Sequence, residues 1–166
     1  GGALDSARFR YRLAEALNCS QSDLNAVVIG GHGDTTMIPL TRFANLNGIP
    51  VTELLSQEKL DEVSAATMVG GATLTKLIGT SAWYAPGAAG AAVVEAILRD
   101  EKKVITSCVY LEGEYGQNDI CIGVPAIIGK NGVEGILNFD LNEAEQAKFN
   151  ASADAVRNMN DVLSTL

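Results

Sequence analysis

The sequence predicts an α+β chain in which an antiparallel sheet packs against long helices. Three stretches carry that expectation. Near the start, Leu4, Ala7, Tyr11, Ala14 and Leu17 recur at helical spacing, the pattern of a helix with one buried stripe. Further on, Ile120, Ile122, Val124, Ala126 and Ile128 alternate, as residues do on one face of a strand. Gly129-Lys130-Asn131-Gly132 then supplies a turn, so residues 104–111, 120–128 and 133–139 are expected to form an antiparallel meander.

The first helix is read over residues 4–17. Beside its apolar stripe, Asp5, Arg8 and Arg12 stand three and four positions apart and share a face. Most such trios are solvated ladders worth little to stability. Next, Leu24-Asn25-Ala26-Val27-Val28-Ile29 reads as a buried strand that delivers Gly30-Gly31-His32-Gly33-Asp34-Thr35 at its end. Met37-Ile38-Pro39-Leu40 reads as a second strand, and Pro39, having no N–H for a ladder, confines it to an edge or a bulge.

Residues 57–78 give one long helical pattern through Leu60, Val63, Thr67, Gly70, Leu74 and Leu77. Gly70-Gly71 in its middle costs about 1 kcal/mol per glycine relative to alanine, and close packing against another helix or a partner chain would explain it. Thr80-Ser81-Ala82-Trp83-Tyr84-Ala85-Pro86-Gly87 interrupts the pattern. Trp83 and Tyr84 are expected in the core, and a small-residue helix follows over residues 88–98. Asn142 with Glu145 resembles a capping box that opens a last helix through Phe149, Ala153, Val156 and Leu163.

Composition narrows the function classes. A chain of 166 residues, 47% hydrophobic, fits one packed domain. No apolar run approaches the ~20 residues that cross a bilayer, and the start has no basic segment followed by an apolar one. No membrane partner is expected, and the cytoplasm is the expected compartment. A net charge of −8 argues against a nucleic-acid partner. Cys19, Cys108 and Cys121 cannot all pair, and no two stand in a CxxC spacing. Buried free thiols are therefore expected, with no disulfide framework and no metal site.

Chemistry concentrates at His32, the one histidine of the chain. Glycines on both sides let the backbone turn sharply and bring substrate-sized groups close. Imidazole ionises near neutral pH, so it can act as an acid or as a base there. The alternative is a tight turn whose histidine only bonds to backbone. Other constellations fail. The serines carry no GxSxG elbow, residues 31–36 lack the third glycine of GxGxxG, and Gly129-Lys130-Asn131 is no P-loop. By itself the chain has no recognisable dinucleotide site.

Leu4-Asp5-Ser6-Ala7-Arg8-Phe9-Arg10-Tyr11, then Gly30-Gly31-His32-Gly33-Asp34, then Ser81-Ala82-Trp83-Tyr84-Ala85-Pro86 resemble, in order, the carboxyl-terminal half of the lactate/malate dehydrogenase family. Tyr110-Leu111-Glu112-Gly113-Glu114-Tyr115-Gly116 and Gly123-Val124-Pro125 resemble its bacterial, lactate-dehydrogenase-like malate dehydrogenases. The resemblance implies that residues 1–166 are one substrate-binding and catalytic domain, a fragment from which the Rossmann half is absent. It implies His32 as proton donor and acceptor, Asp5 as the carboxylate paired with it, and Arg8 as the guanidinium that grips the substrate carboxylate. Asp34, beside His32, is the competing partner.

The same resemblance puts Gly31 and Ala82 on the substrate side and Pro86 near the nicotinamide. Ala82 stands where lactate dehydrogenases usually carry a larger polar residue, which favours a C4 acid. The implied reaction is reversible hydride transfer between (S)-malate and NAD, giving oxaloacetate and NADH, as in the tricarboxylic acid cycle. NAD would be bound mainly by the chain's own amino-terminal Rossmann domain, without which the fragment is expected to be inactive. A second arginine for malate would come from a mobile loop of that half. A homo-oligomer is implied. The alternatives are a domain acting on lactate or another 2-hydroxy acid, and a non-catalytic oligomerisation module in which the Gly70-Gly71 helix makes subunit contacts.

Overall fold

The computed structural model describes residues 1–163. Helix α1, Gly2–Leu17, buries Phe9, Leu13 and Ala14 together with Asp5 and Ser6. The buried stripe is thus rotated from the expected one, and Tyr11 is exposed. The rotation follows from side-chain size. Phe9 and Leu13, four apart, remove more apolar area from water than Ala7 and Tyr11 can. Asp5 stands four residues before Phe9 in the same row, so burying that row carries a carboxylate inward.

The expected strand over residues 24–29 is two strands. β1, Leu24–Asn25, pairs antiparallel with β4, Asn45–Leu46, which pairs with β5, Ile49–Pro50. β2, Val28–Gly30, lies between β3, Met37–Pro39, and β7, Asn118–Gly129. On the far side of β7 runs β6, Lys103–Glu112, and β8, Gly132–Ile136, pairs with β7 as well. The meander of β6, β7 and β8 is antiparallel as expected, and Pro39 sits on an edge strand. Where β2 meets β7, Gly30 pairs with Gly123, and a Cβ on Gly123 would stand 2.6 Å from the Gly30 carbonyl oxygen. Glycine is required there for the two strands to touch.

β2 is buried on both faces, and its alternation divides two cores. Ile29 joins Val109, Leu111, Ile120, Ile122, Val124 and Phe149. Val28 joins Phe9, Leu13, Met37, Leu60 and Val63. The first core lies under the last helix, α6, Glu143–Val162, whose Asn142–Glu145 capping box is present. The second lies under α1 and α3, Gln57–Met68, with the short helix α2, Val51–Leu54, at its edge. A residue at the end of β2 is consequently held from both sides.

Other expectations are corrected. The long helix breaks at Val69, so that α4, Gly70–Ile78, is separate from α3. α5, Tyr84–Leu98, starts four residues earlier than expected and takes Pro86 into its first turn, where the missing N–H costs nothing. Trp83 and Tyr84 are not core residues but 64% and 85% exposed, standing at the start of a helix whose surface is mostly open. Leu163 likewise lies on the surface. The cysteines are free, but Cys108 and Cys121 are exposed and Cys19 half-buried. Cys108 stands on β6 and Cys121 on β7. No helix among the described residues is long and apolar enough to cross a membrane.

Candidate active site

His32 follows directly on β2, in the loop to β3. That loop is closed by its own backbone and by Thr36. The N–H groups of Thr36 and Met37 donate to the Gly33 carbonyl at 3.0 and 3.1 Å, and the Gly33 N–H donates to Thr36 Oγ1 at 2.9 Å. Gly30 enters the turn at φ 89°, a conformation open to glycine. A Cβ on Gly31 would lie 2.6 Å from Thr36 Oγ1. The glycines flanking His32 therefore serve a close approach of backbone to Thr36, and the imidazole is left 58% exposed.

Asp5, 1% exposed, meets that imidazole from α1. Its Oδ2 lies 2.6 Å from His32 Nδ1, and its Oδ1 accepts from Arg8 Nη1 at 3.0 Å. A buried carboxylate is costly unless both oxygens find donors, and here each has one. Asp5 also stands in the first turn of α1, where the helix dipole favours negative charge. An ionised carboxylate only accepts, so Nδ1 carries the proton and Nε2 is the nitrogen left for a ligand.

Arg8 lies across the start of α4. A Cβ on Gly70 would stand 2.5 Å from Arg8 Cδ, and one on Gly71 3.6 Å from Nη2. The Gly70-Gly71 pair thus stands in the first turn of α4 and not in a helix interior, and the expected close packing against another helix is met at one side chain of α1, that of Arg8. The two glycines leave the space through which the arginine stem passes, and α3 gives way to α4 at that point. Arg12, expected on the same face, pairs instead with Glu15 at 2.8 Å.

Arg8 and His32 open on one hollow of about 340 Å³, lined also by Asp34, Thr75, Ala82 and Pro86. The structure therefore brings together five of the six residues singled out in the sequence, with Asp5 directly behind His32. Gly31 does not line the hollow, because its N–H is taken by Ser152 Oγ at 2.8 Å. Asp34 reaches the rim, but the carboxylate on Nδ1 is that of Asp5. Ala82, Ala85 and Pro86 make one wall apolar, a surface on which a flat heterocycle can lie. The residues present thus fit one end of a dinucleotide.

A groove of about 410 Å³ between α1, α5 and β6 and a hollow of about 460 Å³ beside β3 and α6 contain none of His32, Asp5 and Arg8. Among the described residues no cluster of three or more His, Cys, Asp and Glu is placed to hold a metal. Sequence reasoning missed Ser152, which has no motif around it. Gly70 and Gly71 were a signal of close packing against another helix, without showing that the side chain packed there is Arg8.

Residues 2–164 match the family described as lactate/malate dehydrogenase, alpha/beta C-terminal domain. The chain is 68% identical over 163 residues to a malate dehydrogenase of Bacteroides thetaiotaomicron, covering 98% of this chain and 52% of that protein. It is 67% identical over 166 residues to the malate dehydrogenase of Flavobacterium frigidimaris, covering 100% and 53%. The chain thus spans about half the length of these curated relatives.

Among solved structures, malate dehydrogenase from Salinibacter ruber superposes with a TM-score of 0.97 at 44% identity, over 100% of this chain and 54% of that one. The lactate dehydrogenase of Cryptosporidium parvum, complexed with lactic acid and nicotinamide adenine dinucleotide, gives 0.96 at 38% identity, covering 100% and 54%. This chain belongs to the lactate/malate dehydrogenase family and has the fold of its C-terminal domain.

Proposed function

We propose that the chain is the substrate-binding and catalytic domain of an NAD-dependent malate dehydrogenase, interconverting (S)-malate and oxaloacetate. One observation carries this reading: the Asp5 carboxylate joins His32 and Arg8 at the mouth of one hollow. Malate oxidation removes a proton from the C2 hydroxyl and a hydride from C2. His32 Nε2 takes the proton, and the imidazolium is stabilised by Asp5 on the opposite nitrogen. NAD, when bound, supplies the hydride acceptor. In the reverse direction His32 returns the proton to the ketone oxygen.

Arg8 holds the C1 carboxylate through the planar fork of its guanidinium, which fixes C2 relative to Nε2. Ala82 leaves room for the second carboxylate of a C4 acid, and Pro86, on the same wall of the hollow, would hold the nicotinamide side of the cofactor. Gly31 acts through the shape of the loop. The rest of the dinucleotide site, and a second arginine for malate, belong to an amino-terminal Rossmann domain, so the domain alone is inactive. The full-length protein works as a homo-oligomer in the cytoplasm.

The test is malate-dependent NADH formation by the full-length protein and its His32→Asn variant. Loss of about 10³-fold in kcat with the oligomer intact is expected from removal of a general acid/base. Normal turnover by the variant would leave His32 structural and the chain an assembly module. A wild-type preference for lactate over malate would move the substrate assignment but not the chemistry.

A further inference from the structure

Ser152 stands on α6, 121 positions after Gly31, and is 3% exposed. Its Oγ accepts from the Gly31 N–H at 2.8 Å and donates to the Thr36 carbonyl at 2.7 Å. One hydroxyl therefore ties together the residue that enters the His32 loop and the residue that leaves it. The surroundings are shaped around that oxygen. A Cβ on Gly30 would fall 2.9 Å from it and one on Gly31 3.5 Å from it. Phe149 and Ala153, on the same helix, are fully buried in the sheet core, so α6 is anchored to the sheet on either side of Ser152.

We propose that Ser152 is a positioning residue for the hydride-transfer reaction, a latch that fixes both ends of the catalytic loop to α6. The proposal rests on the functional reading above. Asp5 restrains the imidazole at one nitrogen, but a single hydrogen bond leaves the ring free to swing with its backbone. Ser152 removes that freedom by holding the backbone itself. Arg8 is fixed independently, by α1 and by the passage at Gly70. Loss of the latch should consequently weaken the chemical step and spare substrate affinity.

The experiment compares full-length wild type with Ser152→Ala and with Ile128→Val, which removes a buried methyl from the far end of β7, away from α6 and the loop. Ser152→Ala is expected to lower kcat by about 10- to 100-fold, as a misplaced catalytic group does, with KM for malate changed by less than about twofold. Malate deuterated at C2 should give a larger isotope effect on kcat in this variant, since hydride transfer then limits turnover. The Gly31 amide should exchange with solvent at least about tenfold faster.

Ile128→Val is expected to lower Tm while kcat and the isotope effect stay at wild-type values. Should Ser152→Ala fail to fold, Ser152→Cys keeps the volume with a weaker acceptor and is judged by the same readouts. Wild-type kcat together with unchanged Gly31 exchange would overturn the latch, as would an equal loss in Ile128→Val. If wild type itself does not turn over malate, the functional reading falls, and the latch is then decided by the Gly31 exchange rate alone.

Discussion

Asp5 Oδ2 lies 2.6 Å from His32 Nδ1, although Asp5 is almost completely buried and the histidine side chain is 58% exposed. The anchor is inside and the reactive ring outside. Asp5→Asn should therefore lower kcat by about 10²-fold or more without unfolding the protein, because the amide no longer selects the tautomer with its proton on Nδ1. Steady-state kinetics beside circular dichroism of the full-length variant checks this. A variant with wild-type kcat would show that the contact between acid and ring plays no part in turnover.

Gly70 separates affinity from stability. A methyl there meets Arg8 Cδ at 2.5 Å and must push the arginine stem away from Asp5 and the hollow. At the first position of α4, alanine restricts the unfolded chain more than glycine does, which favours the folded state by about 0.4–1 kcal/mol. Gly70→Ala should accordingly raise KM for malate about tenfold while Tm holds or rises. On an Arg8→Ala background the same change should add nothing to KM, since contacting residues share one effect. An additive loss in that double mutant would show that Gly70 acts by some other route.

The fold and the site were unequally legible in the sequence. The meander could be read because Ile120 to Ile128 alternate and the turn residues sit between strands, both local signals. The rotation of α1 could not, since Phe9 and Leu13 compete with Leu4, Ala7 and Tyr11 for the inward face and tertiary packing decides between them. His32 declared itself through its glycines, and Asp5 and Arg8 through their spacing and the family resemblance. Trp83 and Tyr84 misled because aromatic bulk was read as burial, whereas they stand at the open start of α5. Ser152 had no local signal at all. Its partners lie more than a hundred residues away, and no pattern within α6 marks a hydroxyl that serves another loop.

The α4 and α5 surfaces carry a further expectation. Leu77, Tyr84 and Leu98 are 79%, 85% and 80% exposed, and α5 buries only Ala96 although nearly all its residues are apolar. Exposed apolar side chains in this number are expected to be covered in a larger assembly. The domain of residues 1–166, expressed alone, should bind a hydrophobic dye or self-associate, and the full-length protein should do so less per mole. Dye fluorescence with size-exclusion chromatography reads both. A monomeric domain that leaves the dye dark would count against it.

Acid should loosen the start of α6. Burial alone would raise the Glu145 carboxyl, but Arg42 Nη2 at 2.7 Å and the Asn142 N–H at 2.9 Å outweigh it, and its pKa is lowered in the folded state. A depressed carboxylate stabilises fully above its unfolded pKa, about 4.3 for glutamate, and that stability is lost as pH falls through the lower folded value. Glu145→Gln keeps a residue that can complete the capping box but removes the charge. Thermal melts should then show wild type above the variant at neutral pH, with the gap closing as pH drops below about 4. Arg42 is largely solvated, so the gap should be small and shrink with salt. A gap that persists unchanged in acid would mean that the variant loses packing at the helix start rather than an ion pair.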